Sequence, residues 1–412
     1  MYGAVMKIPF PKLALALSVA AGIPSTHAAD LIKADNSLNL KTAGTYAAPN
    51  DTVTNPSGSR IIFNNVFANT TASVNTAGIS ADSIVILDPG HAVTLSTGGT
   101  LTVGSLDLSE ATQNLTISGS FATRMSGTTP SVTVKSGITL TINTAFYSNT
   151  NGGGTINITG DGTTNINGAI TDGDAVKISR ITKSGNGILT STGSNTYTGQ
   201  TTVSSGTLLI NGSHTVSSGT TSATAYNVTG GILGGTGTIN LSAVNSGVTL
   251  GSGAKLTAGG SGGASVESLT FALGTGSLDA KAAVGGANTG AFIFELGSNI
   301  TPGSTYDQII MTSGTLDIGT GLLEATDFDF TTLAGFGSGV YVLFDTASTI
   351  SGTLGANTSV DLGNGYTGTL SLSDSNTNLI LTVVPEPQTA TLLCLALGMT
   401  FVFVARRRRR QS

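Results

Sequence analysis

One cysteine, no tryptophan, three histidines and 9% charged residues are all that 412 residues supply of the side chains most chemistry uses. The lone Cys394 excludes a disulfide within the chain, so cysteine usage says nothing of redox compartment. His27, His91 and His214, with that one cysteine, cannot provide zinc-site spacing. Net charge is −5, but the two ends distort it: seven of the 17 Lys and Arg (Lys7, Lys12 and the five arginines from 406 to 410) and one of the 22 acids (Glu386) lie there. The body between them therefore stands near −11. A body of that balance has no basic footprint for nucleic acid. A helical apolar period is also missing everywhere except at the termini.

What the chain does have is 57 glycines, abundant Ser, Thr and Asn, and 39% hydrophobic residues with mean hydropathy +0.25. Disorder goes with low hydrophobicity and high charge, and this composition has neither. It suits repetitive β-structure with a hydroxyl- and amide-rich outer face over a thin core of Val, Ile and Leu. Short apolar runs at 61–63, 84–87, 101–103, 115–117, 132–134, 138–142 and 156–158, separated by Gly, Asn, Ser and Thr, read as strands. A weak repeat joins Gly99-Thr100-Leu101, Gly137-Ile138-Thr139-Leu140, Gly206-Thr207-Leu208, Gly247-Val248-Thr249-Leu250 and Gly314-Thr315-Leu316. The gaps of 38, 69, 41 and 67 residues predict coils of about 19–23 residues. One such unit cannot close a core alone and must stack on its neighbours.

The densest stretch, Ile181–Gly212, reads ITKSGNGILTSTGSNTYTGQTTVSSGTLLING. Its Lys183-Ser184-Gly185, Gly187, Leu189, Gly193, Asn195-Thr196-Tyr197, Gly199, Thr201, Val203 and Gly206-Thr207-Leu208 resemble the autotransporter-associated β-strand repeat, a module of bacterial surface and secreted proteins. The resemblance implies rungs of a β-solenoid, with Asn195 and Tyr197 in stacking roles. Ser191 departs from it, standing where the family usually carries an apolar inward residue, which predicts an underpacked rung. Gly230–Gly260 continues the pattern, as the family commonly does after the repeat. Beyond the glycine-rich 259–263, strands become longer and less repetitive, predicting a distinct β-module or cap.

Both ends carry sorting patterns. Lys7 and Lys12, the apolar Leu13–Gly22 and small residues up to Ala29 predict a secretory signal over 1–29, with Met1 or Met6 as the start. At the other end Pro385, Glu386 and Pro387 precede an apolar run over 391–405 and then Arg406, Arg407, Arg408, Arg409 and Arg410. At 1.5 Å per residue that run spans about 22 Å, short for a bilayer but workable with snorkelling arginines. The positive-inside rule keeps the arginines cytoplasmic and the body outside. This tripartite order resembles the PEP-CTERM sorting signal. The resemblance implies processing by an exosortase, a membrane cysteine transpeptidase, in exopolysaccharide-producing Gram-negative bacteria.

Candidate chemistry is thin. Asp161, Asp172 and Asp174 lie in Gly-rich turns where oxygen ligands could hold Ca²⁺ loosely, but the nonapeptide of calcium-loaded β-rolls is missing and Asp in turns is common. Asp327 and Asp329 alternate with Phe328 and Phe330, as in a half-buried strand, so paired-carboxylate catalysis is weakly supported. The expectation is an all-β chain with no cofactor and no metal: a right-handed parallel β-helix with a C-terminal β-module and a short C-terminal transmembrane helix. It divides into a signal (1–29), an N-terminal solenoid (30–180), the repeat with its following rungs (181–260), a β-module (261–384) and the sorting segment (385–412). The expected role is an exported, non-catalytic surface or matrix protein, adhesin-like, held briefly in the inner membrane and associated with exopolysaccharide. The alternative is a surface polysaccharide-degrading β-helix enzyme, a lyase or hydrolase.

Overall fold

The computed structural model describes residues 29–386, apart from 37, 39, 43, 51–54, 75–76, 219–223, 261–265, 286–288, 299–300, 302, 304 and 374. All of the expected signal (1–29) but Ala29, together with Pro387, the apolar run 391–405 and Arg406–Arg410, lies outside the described residues. Among the described residues there are 33 strands and one short 3-10 turn, Ala325–Asp327, and no helix long and apolar enough to cross a membrane.

The strands form because apolar and hydroxyl residues alternate with period two. In Gly154–Thr159, Ile156 and Ile158 are buried while Thr155, Asn157 and Thr159 are partly exposed. From Thr71–Val74 to Phe328–Thr332, each coil gives one strand to a smaller sheet and one or two to a larger one. Gly154–Thr159 joins the larger sheet, Thr163–Ile166 the smaller, Ser179–Lys183 the larger and Ile188–Ser191 the smaller. The smaller sheet stacks eleven strands in sequence order, all parallel, from Thr71–Val74 to Phe328–Thr332. A chain that returns to the same sheet once per turn, always parallel, is arranged as in a β-helix.

Register fixes the coil. One inward position of the smaller sheet recurs at Leu115, Leu140, Thr164, Leu189, Leu208, Leu233, Leu256, Phe292 and Phe328, all buried. The coils between these are 25, 24, 25, 19, 25, 23, 36 and 36 residues long. The repeat-derived estimate of 19–23 therefore fits only the shortest coils. The Gly-Thr-Leu strings misled because they do not share a sheet: Leu140 and Leu208 stand on the smaller, Leu101, Leu250 and Leu316 on the larger. Parallel pairing also crosses the glycine-rich 259–263, since Ser268–Asp279 and Gln308–Leu323 extend the larger sheet. Between strands, pairing turns antiparallel at the C-terminal end, where Asn378–Pro385 joins Gly339–Thr346 and Tyr366–Ser373, and Tyr366–Ser373 joins Ser359–Gly363.

Outward positions are aligned too. One column on the larger sheet reads Ser105, Ser131, Asn157, Thr182, Thr202, Asn227, Thr249, and one on the smaller reads Thr94, Thr116, Thr141, Asn165, Thr190, every residue partly exposed.

The inward column carries the stability. Leu208→Ala, between Leu189 and Leu233, is expected to cost about 2–5 kcal/mol, by lost transfer energy plus the cavity left behind. Thr190→Ala, facing outward one residue from Leu189, is expected to stay within about 0.5 kcal/mol. Urea unfolding of the two variants against the parent checks this, and equal losses would contradict the inward assignment.

Candidate functional site

The repeat motif lies on the 19-residue coil, and its residues divide by facing. Asn195, Tyr197, Thr201, Thr207 and Leu208 are buried, whereas Thr196 is exposed and contributes a backbone N–H to the Ile170 carbonyl at 2.9 Å. The glycines mark close approach of one coil to the next: a Cβ on Gly193 or Gly199 would press into the carbonyl oxygen of Gly168 or Ser179.

Asn195 is a junction between three coils. Its side-chain oxygen accepts from the Ile170 N–H at 2.9 Å, and its amide nitrogen donates to Ser191 Oγ at 2.9 Å and to the Ser213 carbonyl at 3.0 Å. Ser191 is buried and its hydroxyl is partnered by Asn195, where an apolar side chain would leave that amide N–H short of a bond.

Beneath Asn195 lies a polar group that the sequence reading did not single out. His214 pairs with Asn195 in register and stacks on Tyr197, ring centroids 4.0 Å apart and 11° from parallel. Its Nε2 is 2.8 Å from the Tyr197 carbonyl and its Nδ1 is 2.7 Å from the Tyr226 hydroxyl. A carbonyl only accepts, so Nε2 carries the proton, Nδ1 accepts, and Tyr226 donates. Tyr197 in turn shares a 2.6 Å bond with Thr201 Oγ1. Burial pushes His214 down to about 4 and holds both tyrosines above their ordinary range. The group is neutral and closed on itself. A signal for it does exist in the sequence: Gly193-Ser194-Asn195-Thr196 returns 19 residues later as Gly212-Ser213-His214-Thr215.

Lys183 is another inward polar residue, 2% exposed at the end of Ser179–Lys183. Its ammonium donates to the carbonyls of Ser184 at 2.9 Å and Gly185 at 2.8 Å, with Ser205 at 3.5 Å. Burial lowers it to about 8, against the pull of Asp161. This cradle explains Gly206, which has φ +67° and whose Cβ would meet Lys183 Nζ and the Gly187 carbonyl, both at 2.5 Å. Lys183 and Gly206, 23 residues apart in the motif, are thus one feature.

The acidic turn residues have structural work. Asp172 accepts from Thr198 N–H at 3.1 Å, Thr198 Oγ1 at 2.7 Å and Ser179 N–H at 2.8 Å, tying successive coils together. Asp174 pairs with Lys177 at 2.8 Å, which holds its carboxyl below the usual range. Asp161 accepts from the Asn186 N–H at 3.0 Å. Asp329 pairs with Lys255 at 2.8 Å, and buried Asp327 closes a capping box with Glu324. Among the described residues no group of three His, Cys, Asp or Glu is placed to hold a metal ion, and no buried side-chain nitrogen or oxygen lacks a partner. Of the tail motif, Pro385 ends the last strand and Glu386 donates its N–H to the Gly365 carbonyl at 2.7 Å.

Two outcomes follow from this interior. An unfolded histidine titrates near 6.5, so between about 6.5 and 4 the unfolded chain binds a proton that the native state refuses. His214 therefore removes stability as pH falls through that window, on the order of 3 kcal/mol by pH 4. His214→Gln, which keeps a donor and an acceptor but does not titrate, is expected to flatten the slope; denaturant midpoints from pH 8 to 4 for both chains check it. Gly206→Ala is expected to cost more than about 2 kcal/mol through strained φ and loss of the Lys183 cradle, whereas Ser205→Ala beside it is expected to cost little in the same assay.

The chain matches no protein-family model, and comparison with curated proteins finds no match.

Proposed function

We propose that the chain is an exported structural protein of the cell surface or extracellular matrix, adhesin-like and non-catalytic. The observation that carries this reading is the pair of aligned outward columns, which present one hydroxyl or amide per coil over seven positions on one sheet and five on the other. A long, nearly uncharged face of that kind suits many weak hydrogen bonds to a polysaccharide rather than one tight site. The buried His214 and Lys183 support it as well, because each spends its hydrogen bonds on the chain itself.

In this reading the parallel coil is right-handed, as crossovers between parallel strands in one sheet almost always are. The N-terminal signal delivers the chain across the inner membrane, and the apolar run 391–405 holds it there as a short helix. An exosortase then processes the Pro385-Glu386-Pro387 tail and removes Arg406–Arg410, releasing the body to the outer surface or to exopolysaccharide.

The test is the C-terminus of the exported protein. Expressed in an exopolysaccharide-producing Gram-negative host, the secreted chain is expected to lack the peptide carrying Arg406–Arg410 by mass spectrometry, and to keep it when the host exosortase is deleted. An intact tail in both hosts, or a body held in the cytoplasm, would overturn the reading.

A further inference from the structure

Near the N-terminal end of the larger sheet lies a groove of about 390 Å³. Lys41, Asn55 and Ser57 line it on one side, and Ser80, Thr102 and Arg124 line it from the sheet. The volume falls in the range of small-molecule sites. The sheet residues are aligned: Ser80 pairs with Thr102, Thr102 with Arg124, and Arg124 with Tyr147. At about 4.8 Å per strand, the column presents two hydroxyls, a guanidinium and a phenol at even steps along the coil axis.

Among the described residues, the two charged ones that line the groove, Lys41 and Arg124, are cations. Asp82, two residues beyond Ser80 on the same strand, is not among the lining residues. Arg124 is held in place, its guanidinium 5.5 Å from the centre of the Tyr147 ring and its Nε donating to the Tyr147 hydroxyl. That bond leaves its two terminal nitrogens outside it, the paired donors that match a carboxylate.

We propose that this groove binds an acidic saccharide, its carboxylate on Arg124 and Lys41 and its ring hydroxyls on Asn55, Ser57, Ser80 and Thr102. Two cations alone would suit any small anion. The surrounding row of hydroxyl and amide groups, longer than one anion needs, is what selects a polyhydroxylated chain. The proposal rests on the surface reading only for where such a ligand is met, and that reading is decided separately by the fate of the tail.

Titration calorimetry of the full-length chain in detergent micelles tests it, with trigalacturonate, its methyl ester and inorganic phosphate as probes. Trigalacturonate is expected to bind one to one, at least about tenfold more tightly than either control, and to weaken by about tenfold in Arg124→Gln and in Lys41→Gln. Thr102→Val is expected to weaken trigalacturonate and leave phosphate unchanged. It keeps the test decisive should Arg124→Gln unsettle Tyr147, and circular dichroism confirms that each variant folds. Phosphate binding as tightly as trigalacturonate would make this a simple anion site and overturn the proposal. Equal binding of the methyl ester, unaffected variants or no heat from trigalacturonate would overturn it too.

Discussion

Register between successive coils is the constraint on which this structure depends. A parallel ladder buries its backbone groups only if every coil returns the same position to the same height. Side chains one coil apart then meet like with like, so Leu189, Leu208, Leu233 and Leu256 form an unbroken inward column. The same alignment acts outside, where it turns scattered Ser, Thr and Asn into ranks. One requirement thus sets both the core and the surface, and a slip of one residue would exchange them.

The shortest coil has a polar interior. From Leu189 to Leu208 the chain spends 19 residues where its neighbours spend 25, and Ser191, Asn195, Thr201 and His214 line this part of the core. Buried polar groups are costly unless every donor and acceptor is met. Here Asn195 reaches other coils at Ile170 and Ser213 and His214 reaches another at Tyr197, while Ser191 and Thr201 are met within the coil by Asn195 and Tyr197. Such bonds require particular partners at particular heights, which an apolar stack does not. The polar coil therefore fixes register where it occurs, and the leucine columns carry it in both directions.

The β character was legible because it rests on period-two alternation and turn residues, both local. The stacking roles of Asn195 and Tyr197 were expected from the resemblance of their stretch to a known repeat rather than from alternation, and both side chains are buried. Coil length was not legible: Leu101 and Leu208 follow the same Gly-Thr, yet nothing local says that they stand on different sheets. The glycine-rich 259–263 read as a boundary because glycine breaks patterns, while the ladder resumes at Ser268 and the coils widen to 36 residues around the excursion. His214 was weighed in the sequence only as a zinc ligand. Its place becomes visible only when Gly-Ser-Asn-Thr and Gly-Ser-His-Thr are laid one coil apart, which requires the coil length first. Asp307 lies deeper still: wholly buried, accepting from the Glu267 and Glu295 N–H groups and pushed by burial up to about 7, it has no motif at all.

A stack of coils also has two ends, and they are closed differently. At the start Leu40 and Tyr46 fold over the core, with Tyr46 donating its hydroxyl to the Leu40 carbonyl at 2.8 Å. At the far end the antiparallel strands lay Phe344 against Phe292 at 5.1 Å, and Tyr341 against Tyr306 at 5.0 Å. The rings arrive where the coils widen to 36 residues, since a wider section needs larger side chains to reach its centre. Antiparallel pairing is what the last turn requires, because a further parallel strand would only present another raw edge. The edge is instead passed to Ser359–Gly363, a short strand with charged Asp361 at its middle, where pairing with a second chain is least favourable.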